Sequence, residues 1–202
     1  RVLFRSRKNQ DSIGIFAKGD QAVLIVADGI GGHRMGDEAS KIAITSILES
    51  CEKTDQLTIE FIYQSILSAN SKIRSLNVGA GTTLCLGFIN KTQLTFMTIG
   101  DSRGVHISGK GNTKSQTIDH SSAGLASLSG LFDQKIIDAA DGGNQLIYAL
   151  GDEKVELSIS GPIEISQRDN ILISSDGLTA NISEIQFKSA GRQAYCVDGS
   201  TF

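Results

Sequence analysis

The order of patterns along this 202-residue chain predicts an α+β fold in which helices pack on antiparallel sheets. Three observations carry that prediction. Apolar runs of strand length lie near both ends of the chain; two consecutive stretches of helical periodicity follow the first run; and the remaining strands succeed one another across short connections, without the strand-helix alternation of a parallel α/β sheet.

The first run, 22–27, is uninterrupted apolar sequence and breaks on Asp28-Gly29. Asp37 and Glu38 then open a helix, their charges suited to the positive end of its dipole, and Ile42, Ala43, Ile47, Leu48 and Cys51 recur behind them at helical spacing. A second helix carries Ile59, Ile62, Ile66, Ala69, Ile73 and Leu76 on one face, between Thr58 as N-cap and the Gly79-Ala80-Gly81 break. Strands are predicted at 83–89 and 94–99 across the turn Asn90-Lys91-Thr92, with a short third at 105–108, together an antiparallel meander. Residues 121–143, rich in Ser, Ala, Gly and Asp with weak helical periodicity, read as a helix-and-loop segment over one edge of the fold. Strands resume at 156–159, 163–166 and 171–174, the last leading into Ser175-Asp176-Gly177.

Composition excludes several classes. A hydrophobic content of 40% and a net charge of −3 describe an ordinary globular chain with enough length for one substantial core. Arg1, Arg5, Arg7 and Lys8 form the one local basic cluster, far short of the balance of a nucleic-acid binder. No apolar run approaches the roughly 20 residues of a membrane span and no signal peptide is visible, so the cytoplasm is expected. Cys51, Cys85 and Cys196 are odd in number and widely spaced, which suggests buried thiols instead of a disulfide framework or a zinc site.

The chemistry lies in the carboxylates. A strand-ending Asp-Gly is on one reading a turn. On the other, a rigid buried strand mounts a hard oxygen ligand, and the glycine lets the backbone turn away with its carbonyl accessible. Asp11, Asp28, Asp101 and Asp176 each lie at or beside the end of an apolar segment. Brought together they would repel one another unless cations neutralised them, and oxygen-only ligation with little His or Cys nearby favours Mg²⁺ or Mn²⁺. Asp198, in Asp198-Gly199-Ser200-Thr201, reads either as a fifth member or as a turn residue.

The strings Asn9-Gln10-Asp11, Asp28-Gly29-Ile30-Gly31-Gly32-His33, Gly36-Asp37-Glu38-Ala39-Ser40, Gly81-Thr82-Thr83, Gly100-Asp101-Ser102-Arg103, Ala149-Leu150-Gly151 and Ser174-Ser175-Asp176-Gly177-Leu178-Thr179 follow one another along the chain. Over nearly its whole length the chain resembles the metal-dependent (type 2C, or PPM) protein serine/threonine phosphatases, closest to their bacterial-style branch. Ile30 stands where the animal and plant enzymes usually place a histidine proposed as general acid. The resemblance implies a four-layer α-β-β-α sandwich, two central antiparallel sheets flanked by helices, forming a single catalytic domain over 1–202 that is incomplete at its C-terminus. It implies hydrolysis of phosphoserine and phosphothreonine by attack of a hydroxide bridging two Mg²⁺ or Mn²⁺ ions, with a weaker third ion.

Carried over residue by residue, the resemblance makes Asp28 and Asp176 the catalytic carboxylates. Asp28 bridges the two ions, the Gly29 carbonyl binds one of them, Asp176 and Asp198 complete the other's shell, Asp11 acts through water, and Asp101 serves the third ion. The implied partners are phosphorylated proteins, opposite a serine/threonine kinase, with neither nucleic acid nor membrane involved and the protein a monomer. An alternative function is a catalytically silent homologue that binds phosphoproteins or partners. A nucleotide-binding reading of Gly29-Ile30-Gly31-Gly32 fails because no Gly-Lys-Ser/Thr ending follows.

The chain departs from the family at Ser6, where an arginine that grips the substrate phosphate usually stands. Arg7 and Arg5 flank it; either guanidinium fork could reach a phosphate, and Arg7 is favoured. His33, His106 and His120 read as structural, Thr82 and Thr83 as strand-start residues, and Arg103 as a partner of a nearby acid. The stretch 177–197 is shorter than the family's helical segment there, which makes Asp198 the least anchored ligand.

Overall fold

The computed structural model describes residues 9–30, 35–121 and 146–179. In chain order these form β1 (Asp11–Lys18), β2 (Gln21–Ile30), α1 (Met35–Glu52), α2 (Ile59–Ser75), β3 (Gly81–Thr82), β4 (Leu84–Asn90), β5 (Gln93–Ile99), β6 (Arg103–Ile107), β7 (Thr113–Gln116), β8 (Ser158–Ile159), β9 (Ile163–Glu164), β10 (Asn170–Ser174) and the single turn α3 (Asp176–Thr179). A seven-stranded sheet runs β1-β2-β4-β5-β8, with β3 on β2 and β9 on β5; a three-stranded sheet runs β10-β6-β7. All pairs are antiparallel.

Alternation along β2 divides the molecule. Val23, Ile25 and Ala27 are buried against α1 and α2, joining Ala43, Ile47, Ile62, Ile66 and Ile73 in one apolar core. Leu24, Val26 and Asp28 take the other face, and so do their cross-strand partners Gly87 and Cys85 on β4. A Cβ on Gly87 would meet Ile173 of β10 at 3.1 Å, and one on Gly104 of β6 would meet Phe96 of β5 at 2.6 Å, so the small sheet packs directly on this second face. The result is the α+β arrangement of helices on antiparallel sheets that the pattern predicts, and the described residues supply a helix layer, a large sheet and a small sheet of the sandwich that the resemblance implies. Residues 122–145, which hold nearly all of the predicted helix-and-loop segment, lie outside the described residues.

Both helices obey their sequence signals. Thr58 caps α2, its Oγ1 accepting from the Phe61 N–H at 3.1 Å, and Asp37 and Glu38 occupy the first turn of α1. Ile59, in the first turn of α2, departs from its predicted inward face and is 39% exposed. Among the described residues no helix is long and apolar enough to cross a membrane.

The predicted meander is corrected. β4 and β5 form a hairpin across Lys91, which takes φ 58°, but β6 leaves that sheet and pairs with β10 and β7. The cause is the turn after β5: Gly100 at φ +93° swings the chain out of the large sheet, and β8 and β9 occupy the edge of β5 in its place. β1, β3 and β7 were not expected from the pattern. β1 inverts the usual code, with Ser12 and Gly14 facing the helix layer and Ile13 and Ile15 75% and 71% exposed.

The end of β2 lies against the first turn of α1 with no room for a side chain. A Cβ on Gly29 would fall 2.2 Å from the Gly36 carbonyl oxygen, and one on Gly36 would fall 2.7 Å from the Gly29 carbonyl carbon. The Gly29 N–H donates to the Gln10 carbonyl, whose oxygen also accepts from the Ser40 hydroxyl at 2.7 Å. Gly29→Ala is therefore expected to lower the melting temperature by about 2–12 °C, since overpacking costs about 1–3 kcal/mol and each kcal/mol is worth about 2–4 °C in a domain of this size. Gly161→Ala, where a Cβ meets nothing within 4 Å, is the control that leaves it unchanged. Differential scanning calorimetry of both variants checks this; equal melting temperatures would show that the Gly29 contact is not tight.

Candidate metal centre

Asp11 and Asp28 are direct cross-strand partners at the end of β1 and β2, and paired residues share a face of the sheet. That face looks toward the small sheet, where β10 delivers Asp176 at the start of α3. Asp28 hydrogen-bonds to both Asp11 and Asp176. Burial is the largest cause that pushes the Asp28 carboxyl up to about 8, followed by the Asp11 charge and the contacts with Asp176. Like charges opposite one another on a sheet are destabilising, so carboxylates this close hold together by sharing protons or a cation.

Asp101 occupies the turn between β5 and β6. Its carboxyl is pushed up to about 6, first by burial and then by the charge of Asp176. Asp176 thus bears on both Asp28 and Asp101, and the four predicted carboxylates within the described residues gather in one region. Gly29, the predicted carbonyl ligand, follows Asp28 directly at the close approach to α1. Arg7, Arg5, His33 and Asp198 lie outside the described residues.

The donor set fits a hard divalent cation: it offers only oxygen, and a 2+ charge relieves the repulsion that otherwise holds a proton on Asp28. Among the described residues no three such side chains by themselves form an array ready to hold a metal ion. The further predicted ligand, Asp198, lies outside the described residues.

The backbone of Asp28 is held by Thr82 and Thr83, which the sequence pattern marks only as strand-start residues. The Asp28 N–H donates to Thr83 Oγ1 at 2.9 Å, and its carbonyl accepts from the Thr83 N–H at 2.8 Å and from Thr82 Oγ1 at 2.9 Å. Thr83 Oγ1 lies 2.7 Å from Ser102 Oγ, next to Asp101. Ser175 Oγ donates to Asp11 Oδ2 at 2.9 Å, tying the small sheet's end to the large sheet's. Gly-Thr-Thr in front of an apolar strand was the only signal of this in the sequence.

The remaining candidates resolve as structural. Arg103 makes a two-pronged ion pair with Asp119. His106 is fully buried, its Nε2 2.9 Å from Asp169 Oδ2. His120 grips the Gly100 turn: its Nδ1 accepts from the Gly100 N–H at 3.4 Å, its own N–H donates to the Gly100 carbonyl at 2.8 Å, and Nε2 lies 2.7 Å from Ser158 Oγ. Burial lowers its pKa and favours the neutral ring that this arrangement uses. Cavities of about 460 and 640 Å³ lie at the opposite end of the strands, around Gln56, Asn90 and Gln93, away from the carboxylates.

Residues 4–195 match the protein phosphatase 2C family. The serine/threonine phosphatase stp of Listeria welshimeri is 35% identical over 196 residues, spanning 89% of this chain and 76% of its own length. Among solved structures, the serine/threonine phosphatase of S. agalactiae superposes with a TM-score of 0.84 at 27% identity, covering 96% of this chain and 84% of that one. The catalytic domain of the phosphatase PstP, solved in complex with two manganese ions, superposes at 0.75 with 26% identity, covering 93% of this chain and 79% of that one.

The buried carboxylate has a measurable consequence. Asp28 holds its proton up to about 8 in the fold against an ordinary 3.8, so between those values the folded state binds more protons than the unfolded one. Stability of the metal-free protein then falls as pH rises through that window. Thermal unfolding in EDTA from pH 4.5 to 8.5 is expected to show this fall, and Asp28→Asn to flatten it and to melt higher than the parent at pH 8. Parallel curves for the two proteins would contradict the assignment.

Proposed function

The chain belongs to the protein phosphatase 2C family, and on that basis we propose that it is a Mg²⁺- or Mn²⁺-dependent phosphatase of phosphoserine and phosphothreonine in proteins, acting as a single catalytic domain. The observation that supports this most is the buried Asp28 carboxyl set against Asp11 and Asp176. Mutually repelling acids at the tips of rigid strands are costly for a scaffold and useful for gathering cations.

In this reading Asp28, the Gly29 carbonyl, Asp176 and Asp198 would together hold two ions, with Asp28 shared between them. Asp11 acts through water, its carboxylate oriented by the Ser175 hydroxyl. Asp101 would hold a weaker third ion. Bound at these residues, divalent cations supply Lewis acidity and activate water toward a phosphate monoester. The chain's own residues do the rest: partial burial of Asp28 strengthens every charge interaction at the site, and the strand ends fix the carboxylates before substrate arrives. Arg7 presents its planar fork to the substrate phosphate. An opposing serine/threonine kinase supplies the phosphorylated substrates.

Hydrolysis of p-nitrophenyl phosphate tests this. Turnover is expected with Mn²⁺, abolished by EDTA, and reduced at least about 100-fold by Asp28→Asn, the upper range for disturbing a metal site. Activity that survived EDTA would contradict the metal mechanism, and a wild-type protein inactive with Mn²⁺ would favour a silent binding module. A phosphopeptide panel then compares Ser and Thr with Tyr. Arg7→Ala is expected to raise KM for phosphopeptide about tenfold, the worth of one charge-assisted contact, and Arg5→Ala to leave it near the parent value; the reverse would move the role to Arg5.

A further inference from the structure

The register between β2 and its neighbours is unbroken: Val26 pairs with Cys85 of β4, and Gly29 and Ile30 pair with Thr82 and Gly81 of β3. Asp28 therefore stands opposite Thr83, the single residue between β3 and β4. In an ordinary antiparallel ladder two such residues exchange both backbone bonds or neither. Here only one is backbone to backbone, from the Thr83 N–H to the Asp28 carbonyl. The return bond, from the Asp28 N–H, goes to the Thr83 side-chain oxygen, while the Thr83 carbonyl lies 3.0 Å from the Thr82 hydroxyl. A side chain has replaced a backbone carbonyl at the residue that carries the central carboxylate.

That substituted oxygen has a second partner. Thr83 Oγ1 and Ser102 Oγ are 2.7 Å apart, and both side chains are shut off from solvent, Thr83 at 1% and Ser102 at 1% exposure. The Thr83 methyl also fixes the turn ahead of Ser102, since a Cβ on Gly100 would lie 2.8 Å from Thr83 Cγ2. One threonine touches the backbone of Asp28 with its hydroxyl and the Gly100-Asp101-Ser102 turn with both hydroxyl and methyl. Its strand-start position does not require this, since a valine fits the same sheet site.

We propose that Thr83 is a positioning residue that sets Asp28 and Asp101 in fixed relation, so that the carboxylates from two different sheet ends present a preformed site to divalent cations. The inference rests on the metal-dependent reading above. It assigns Thr83 no contact with substrate or cation. Its contribution is preorganisation: with the hydroxyl gone, the partly buried Asp28 N–H loses its acceptor and the Asp101 turn loses its tether to Asp28, and ligands held less firmly bind cations less tightly.

The test is Mn²⁺ titration of the EDTA-stripped, dialysed protein by isothermal calorimetry, with circular dichroism melts alongside. Thr83→Val, which keeps shape and removes the hydroxyl, is expected to weaken Mn²⁺ binding about tenfold or more, the usual effect of deleting a partner behind a metal ligand. Thr83→Ser, which keeps the hydroxyl, is expected to stay within about threefold of the parent, and Ser102→Ala to fall between the two. A purely structural role would lower the melting temperature of Thr83→Val while leaving Mn²⁺ affinity unchanged, and that result overturns the proposal even if the wild type binds Mn²⁺ and turns over phosphate. If Thr83→Val does not fold, Ser102→Ala carries the test: parent-like affinity there overturns the coupling to Asp101. A wild type that binds no Mn²⁺ overturns the metal-dependent reading itself, and the proposal with it.

Discussion

The Asp28 carboxylate stands two residues before the end of the interior strand β2, faces Asp11 across the sheet and touches Asp176 from the second sheet, and burial with those neighbours keeps a proton on it to about pH 8. No arrangement of apolar packing removes that conflict, because the strand that carries Asp28 is the one that pairs β1 with β4 and roofs the helix core. The fold can relieve it only with protons or with cations. Much of the local structure answers to this one constraint. Gly29 and Gly36 let α1 close on the strand end, Thr82 and Thr83 hold the Asp28 backbone from the third side, and Ser175 reaches over to Asp11.

Two sheets are needed for this because no single sheet edge can bring Asp176 and Asp101 over Asp28. The Gly100 turn, at φ +93° and held from both sides by His120, is where the chain changes sheets, so the device that makes the sandwich also sets Asp101 at the site. Asp176 arrives by the mirror route, at the end of β10, which pairs with β6 from Ser174↔Arg103 onward. Architecture and chemistry share residues here, and substitutions at Gly100 or Thr83 act on both.

What the sequence made legible follows from how locally each feature is encoded. Asp28 and Asp176 could be read because an apolar run that stops on Asp-Gly is a local signal. The helices could be read because their periodicity and the Thr58 cap are local too. β1 was hidden because its inward face is built from Ser12 and Gly14, small residues chosen for contact with Ser40 and Ile44, while its isoleucines face outward. β7 was hidden because Thr113–Gln116 is polar and half of an edge pair. The meander failed at one glycine, whose positive φ redirects β6 and leaves no trace in hydrophobic pattern. Thr83 looked like a strand start, and is one; its exchange of a side-chain oxygen for a carbonyl depends on what lies across the sheet, which spacing along the chain does not encode.

The account stands or falls on the state of one carboxyl group, and carbon-13 NMR of the Asp side chains reads it directly. In the metal-free protein the Asp28 carboxyl, assigned by its loss in Asp28→Asn, is expected to titrate near pH 8, and saturating Mg²⁺ is expected to leave it ionised down to at least about pH 5, since a divalent cation favours the charged form. An Asp28 that titrates near its ordinary 3.8 in the metal-free protein, unmoved by Mg²⁺, would contradict the account.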